Sequence, residues 1–149
     1  MQIYFATDHA GFELKEKILA YVRDVLGYEV VDCGAHAHVV GDDYPEYIKQ
    51  AGSAVSENPH NTKAIIFGGS GQGEAITANR FPNVRAVVYY GGNLDIIRLS
   101  REHNDANILS FGARFVSIAE AQEAVALWLS TPFQEEERHV RRIAQIDNA

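Results

Sequence analysis

A chain of 149 residues, 46% of them apolar, is the size of one domain and can bury a full core without cross-links. Thirteen Lys and Arg against twenty Asp and Glu leave a net charge of −7, the wrong sign for a protein whose main partner is nucleic acid, so any anion it binds must meet a local basic cluster. Cys33 is the only cysteine, which excludes a disulfide scaffold and suits a reducing compartment, and the longest stretch free of charged residues, Ala124 to Gln134, is too short to cross a bilayer. The N-terminus lacks a basic leader and already carries Asp8, so the expected location is the cytoplasm, with no membrane partner.

The first β-type run, Ile3 to Ala6, leads through Thr7, Asp8, His9 and Ala10 to Gly11. A helix follows, in which Leu14, Ile18, Tyr21, Val22 and Val25 recur at spacings of three and four, and Gly27 ends it. Tyr28 to Asp32, Ala64 to Phe67, Val84 to Tyr89 and Asn107 to Phe111 read as further strands, separated by candidate helices near 45–56, 74–80, 93–102 and 117–129. A last helix spans about 135–147. Val- and Ile-rich strands separated by helices argue for a parallel sheet covered on both faces, a doubly wound α/β sandwich occupying 1–149 as one domain. Gly34, Gly68, Gly91 and Gly112 fall just past strand ends, the edge where open α/β sheets bind ligands. If strands one and three flank the crevice, Thr7-Asp8-His9 faces Gly68-Gly69-Ser70-Gly71-Gln72-Gly73-Glu74.

That glycine loop joins a buried strand to a helix start, so its backbone N–H groups suit phosphate or a developing oxyanion; the alternative is a flexible turn. It is neither a Walker A loop nor a full dinucleotide fingerprint. Glu74 opens the helix, where the dipole favours an acid in any case, but a carboxylate beside backbone donors can also take a proton from carbon while they hold the enediolate oxygen. Asp8 is either a cap or a ligand, and His9 a surface residue or a ligand. Arg138, His139, Arg141 and Arg142 crowd the final helix, where their repulsion is offset by the preceding glutamates, for instance Glu137 with Arg141, or by a gripped phosphate. Arg114 follows the fifth strand at the ligand edge. His103-Asn104-Asp105, by contrast, precedes that strand and so lies at the opposite edge, as a helix terminus or as part of a neighbouring subunit's site. Trp128 reads as core or dimer contact. His36 and His38 lack a third ligand and read as surface loop.

Taken together, Ala6-Thr7-Asp8-His9-Ala10-Gly11, Asp43-Tyr44-Pro45, Gly68 to Glu74 with Ala78-Asn79-Arg80, Arg101 to Asn107, Phe111-Gly112-Ala113-Arg114 and Arg138-His139 with Arg142 resemble the ribose-5-phosphate isomerase B family. That superfamily also holds galactose- and allose-6-phosphate isomerases. The resemblance covers nearly the whole chain and implies a Rossmann-like, three-layer α/β/α sandwich with a five-stranded parallel sheet. It further implies interconversion of ribose 5-phosphate and ribulose 5-phosphate without metal or cofactor, in a homodimer, or a dimer of dimers, whose sites are shared between subunits. Carried over, Glu74 is the base and His103 of the partner helps open the furanose ring. Asp8, His9, Gly69, Ser70, Gly71, Gln72, Gly73, Asn104, Arg114, Arg138 and Arg142 bind substrate. One departure stands out: many members place a catalytic cysteine where this chain has Gly68, and another branch places a glutamate where this chain has Glu74. The alternatives are an isomerase of a 6-phosphosugar such as allose 6-phosphate or galactose 6-phosphate, and a non-catalytic module that binds a phosphosugar or nucleotide.

Overall fold

Strand and helix alternate along the chain. In the computed structural model, which describes residues 1–149, the strands are β1 (Gln2–Thr7), β2 (Glu29–Asp32), β3 (Thr62–Gly68), β4 (Ala86–Tyr89) and β5 (Ile108–Gly112). The helices are α1 (Phe12–Asp24), α2 (Tyr44–Glu57), α3 (Gln72–Ala78), α4 (Asp95–Glu102), α5 (Ile118–Ser130) and α6 (Glu137–Asp147). One turn of 3-10 helix, His9–Gly11, joins β1 to α1.

Every strand pairing is parallel and the order is β2-β1-β3-β5-β4. Right-handed crossovers then dictate the layers. The connections β1 to β2 and β4 to β5 run one way across the sheet and carry α1 and α4 on one face, where α5 joins them; β2 to β3 and β3 to β4 run the other way and carry α2 and α3 on the opposite face. Because side chains alternate along a strand, β3 sends Ile65 and Phe67 to the first face and Ala64 and Ile66 to the second, and all four are fully buried. Each such large side chain contributes about 1.5–3 kcal/mol by leaving water.

On the first face a row of rings crosses the sheet: Phe5 stacks on Phe67 at 6.3 Å, Phe67 on Phe111 at 5.4 Å, and Tyr89 meets Phe111 edge-on at 6.1 Å. Trp128 is fully buried in the same cluster, as core. The second face is lined by smaller residues, Ala6, Ala51, Ala64 and Ala78, with Ile48 and Val55. Gly52 is needed there because a Cβ would come within 2.7 Å of the Phe81 ring.

The element starts lie one or two residues from those of the sequence pattern, and for two of them the local cause is plain. Strand β4 begins at Ala86 because the preceding Arg85 turns its backbone N–H to Asn107 Oδ1 (2.8 Å) and its guanidinium to Asp105 and Asp147. Helix α3 begins at Gln72, since Gly71 at φ 76° already turns the chain into it. Asn79 accepts from the Ala86 N–H (2.7 Å) and donates to its carbonyl (3.0 Å), so one side chain satisfies both backbone groups at the start of edge strand β4. Helix α6 buries only His139 and is fastened near its end by Arg85, which holds Asp147 at 2.9 Å.

Candidate active site

The C-terminal ends of β1, β3 and β5 form a cavity of about 350 Å³ lined by Asp8, His9, Ala10, Tyr44, Gly69, Ser70, Gly73, Glu74 and Arg114. That volume lies at the small end of the usual range for ligand pockets. The crevice between β1 and β3 expected from the sequence is present, with the Thr7-Asp8-His9 segment facing the glycine loop.

The loop's shape follows from what its glycines admit. A Cβ on Gly68 would overlap the Glu74 carboxylate, so the acid occupies the space that any side chain at position 68 would need. A Cβ on Gly71 would come within 2.8 Å of the Phe111 carbonyl carbon, while the Gly71 carbonyl accepts from Ser110 Oγ at 2.7 Å. A Cβ on Gly73 would come within 2.5 Å of Tyr44 Oη, and one on Gly69 within 3.1 Å of Arg114 Cζ. Ala113 N–H and Arg114 N–H donate to the Gly68 and Gly69 carbonyls at 2.8 and 3.2 Å, fastening the loop to the end of β5. Of the expected loop residues, Gly69, Ser70 and Gly73 line the cavity; Gly71 lies behind it, and Gln72 turns with Ser70 toward Tyr90 and Phe115.

Glu74 is 4% exposed, and burial pushes its carboxyl above the usual range; its own backbone N–H works against that, and the Asp8 charge adds to it. An acid poised this way is a stronger proton acceptor than a solvated carboxylate. Asp8, also buried, accepts from Ala10 N–H at 3.0 Å and so caps the 3-10 turn. That turn fits between β1 and β3 only because residue 11 is glycine, where a Cβ would strike Phe67 Cβ and Thr7 Oγ1 at 2.5 Å. The Arg114 side chain makes no ion pair, leaving its charge available to the cavity.

Asp42 was not legible in the sequence. It comes from the loop before α2, and its Oδ1 lies 2.9 Å from His9 N and 2.7 Å from His9 Nδ1. Burial raises its carboxyl pKa, but the backbone and ring N–H groups of His9 outweigh that, and the net position is below the usual range. Tyr44, from the Asp43-Tyr44-Pro45 motif, is a further wall of the cavity. Asp8, His9 and Asp42 are the one trio whose ligand atoms, all within 4.8 Å of each other, could share a cation. His36 and His38 do not form a pair: His36 Nδ1 sits 3.6 Å from Asp32, and the His38 ring packs edge-on between His9 and Phe12.

The remaining expected residues lie at the other end of the sheet, as topology requires. His103 follows α4 and stacks on His139 of α6, with centroids 4.4 Å apart and planes 14° apart. His139 is 4% exposed, and burial, then His103 and Arg138, hold its pKa below the usual imidazole value. Arg138 meets Glu136 at 2.9 Å and Arg141 meets Glu137 at 2.7 Å, whereas Arg142 makes no ion pair. Asn104 lines a cleft of about 540 Å³ with Arg80, Arg85 and Asp147. None of these residues lines the Glu74 cavity of the same chain.

Residues 3–146 match the model of the ribose/galactose isomerase family. The ribose-5-phosphate isomerase B of Mycolicibacterium paratuberculosis is 38% identical over 96% of this chain and 87% of its own. That of Escherichia coli is 38% identical over 97% of this chain and 93% of its own. The structure of ribose-5-phosphate isomerase B from Mycoplasma genitalium, with ribulose-5-phosphate bound, superposes with a TM-score of 0.92 at 31% identity, covering 99% of this chain and 94% of that one. The enzyme from Thermotoga maritima gives 0.90 at 39%, covering 99% and 98%. With sequence and fold matched over nearly their whole length, the chain belongs to the ribose/galactose isomerase family.

Proposed function

We propose that this chain interconverts ribose 5-phosphate and ribulose 5-phosphate through an enediolate, with Glu74 as the base. The observation that carries the reading is the placement of a buried carboxylate in the space over Gly68, beside a loop of backbone donors. From the open-chain aldose, Glu74 takes the C2 proton while the carbonyl oxygen on C1 gains negative charge. Backbone N–H groups of the Gly69–Gly73 loop stabilise that oxygen. Transfer of the hydroxyl proton from O2 to O1 and return of the carried proton from Glu74 to C1 complete the ketose, so no atom is gained or lost. The chain's own groups serve as base and oxyanion donors, and chelator should leave the rate unchanged.

Asp8 and His9 hold substrate oxygens, and Arg114 faces the phosphate. In the proposed homodimer, which itself can pair into a dimer of dimers, His103, Asn104, Arg138 and Arg142 of one subunit complete the cavity of the other. His103 then gives a proton to the furanose oxygen as its bond to C1 breaks, while the anomeric hydroxyl loses its proton to solvent and becomes the C1 carbonyl. Their position at the far end of the sheet supports this, because they cannot serve the cavity of their own chain. One buried free thiol and no disulfide support a cytoplasmic enzyme; no helix is long and apolar enough to cross a membrane.

The test is turnover by the purified chain of ribose 5-phosphate and, separately, allose 6-phosphate, with and without chelator. Preferred turnover of the pentose phosphate is expected. Preference for the hexose phosphate would reassign the substrate, and turnover of neither would leave a binding module.

A further inference from the structure

From the contact between His9 and Asp42 we infer that Asp42 is a positioning residue that fixes the proton on His9 Nδ1 and so presents Nε2 to the substrate as a hydrogen-bond acceptor. A single carboxylate oxygen, Asp42 Oδ1, takes both the His9 backbone N–H at 2.9 Å and the ring nitrogen at 2.7 Å. Two bonds from one residue to one oxygen restrict both the turn of the imidazole about its side chain and the tautomer it adopts. A carboxylate can only accept, so neutral His9 must carry its hydrogen on Nδ1. His9 lines the cavity, and Nε2 is the one ring nitrogen left for a ligand. A sugar hydroxyl is the chemistry that such an acceptor suits.

The carboxylate is itself well placed to hold its position. The Asp42 side chain is 9% exposed and its second oxygen, Oδ2, is buried without a geometric hydrogen-bond partner, while the neighbouring Tyr47 hydroxyl joins His9 in holding the carboxyl below its usual range. The loop that delivers it is anchored at its start. Thr7 N–H donates to the Gly34 carbonyl at 2.8 Å, Ala35 N–H to the Thr7 carbonyl at 2.9 Å, and buried Lys15 joins Asp32 at 2.7 Å and the Ala35 carbonyl at 2.9 Å. The competing acceptor, Asp8 Oδ2, stands 4.0 Å from His9 Nδ1, beyond hydrogen-bond reach.

The inference rests on the cavity being the substrate site, and the tests separate the two. Nitrogen-15 spectra of labelled histidine, assigned with His9→Gln, should show the Nδ1–H tautomer of His9 in the unmodified chain and its loss of dominance in Asp42→Ala. Asp42→Asn, whose amide oxygen can take the place of Oδ1, should retain it. In kinetics, Asp42→Ala should lower kcat/KM by about ten- to a hundredfold, Asp42→Asn by less, and Asp42→Ala in a His9→Ala background by under about twofold. Equal losses in both backgrounds overturn the inference, as does an Nε2–H tautomer in the unmodified chain, which needs no variant to fold. Failure of the unmodified chain to turn over ribose 5-phosphate would defeat the functional reading, while the spectra still decide whether Asp42 sets the tautomer.

Discussion

The two ends of the sheet are built on opposite plans. At the C-terminal end, Glu74, Asp8 and the glycine loop are held by backbone: strand ends, carbonyl contacts and positions where a single methyl group does not fit. At the N-terminal end, the arginines project from α6, a helix whose only buried residue is His139. Proton transfer at carbon is sensitive to displacements of about 1 Å, so its groups belong on rigid backbone, at strand ends and at the start of the helix that follows the loop. Gripping a phosphate tolerates long arms, and an exposed pair such as Arg138–Glu136, worth about 0–1 kcal/mol, is readily given up for it. On the proposed reading, each chain carries a rigid half with Glu74 for proton transfer at carbon and an adaptable half with the α6 arginines for the phosphate, at ends of the sheet that do not meet within one subunit.

The strongest way to break the rigid half is Glu74→Gln, which should lower kcat by at least about a hundredfold while leaving substrate affinity near normal. Stability should move the other way. The folded-state pKa of Glu74 is raised by burial, so its contribution is fully present below the unfolded carboxyl range and is lost as pH rises through the raised value. Glutamine carries no such loss. The melting temperature of the variant should therefore gain on that of the unmodified chain between acid and neutral pH, and a constant difference across that range would contradict it. Gly68→Ala breaks the same half without touching the acid. Its methyl group must push the carboxylate aside, so kcat should fall by about ten- to a hundredfold in a protein that still folds, checked by circular dichroism.

The separation of the two halves is sharpened by mixing inactive Glu74→Gln and His103→Ala chains. Random exchange makes half the dimers mixed, and in each of those one site has both residues intact, so about a quarter of all sites should recover. Verified mixed dimers without activity would return His103 to its own chain's site or remove it from catalysis. On the adaptable half, Arg142→Ala should weaken binding of the phosphosugar by about ten- to a hundredfold, as expected for loss of one charge-assisted bond. An analogue lacking the phosphate should bind almost unchanged. Equal losses for both would show that Arg142 supports the helix instead.

Local pattern carried most of the fold. Strand β3 reads as a continuous apolar run because both its faces are buried, and α1 as a periodic stripe because only one of its faces is. The order β2-β1-β3-β5-β4 was not legible, since the insertion of β5 beside β3 depends on long-range pairing that leaves no local mark. In the site, the glycine loop and Glu74 stand out by residue type, yet the reason for Gly68 is visible only in space, where the acid from the next helix covers it. Asp42 was missed for a similar reason: it reaches His9 from a loop with neither periodicity nor a recognisable motif, across 33 positions of sequence.

The smallest effect should come from the chain's only thiol, and it decides whether the base is a carboxylate alone. Cys33 sits just after β2, 9% exposed, in the apolar layer with Ala6, Ile48 and Ile66. Burial, with the Asp32 charge adding and Lys15 opposing, pushes its pKa up to about 11, so at neutral pH almost none of it is the reactive thiolate. Its backbone N–H donates to the Phe5 carbonyl at 2.8 Å, a contact that does not depend on the side chain. Cys33→Ser exchanges sulfur for a hydroxyl that prefers water, so the melting temperature should drop modestly while kcat and KM stay within about twofold. Thiol-directed reagents should likewise leave the folded enzyme active. Inactivation by such a reagent, prevented by substrate and abolished in Cys33→Ser, would mean that the thiol reaches the reacting carbon, and the assignment of the base to Glu74 would fall with it.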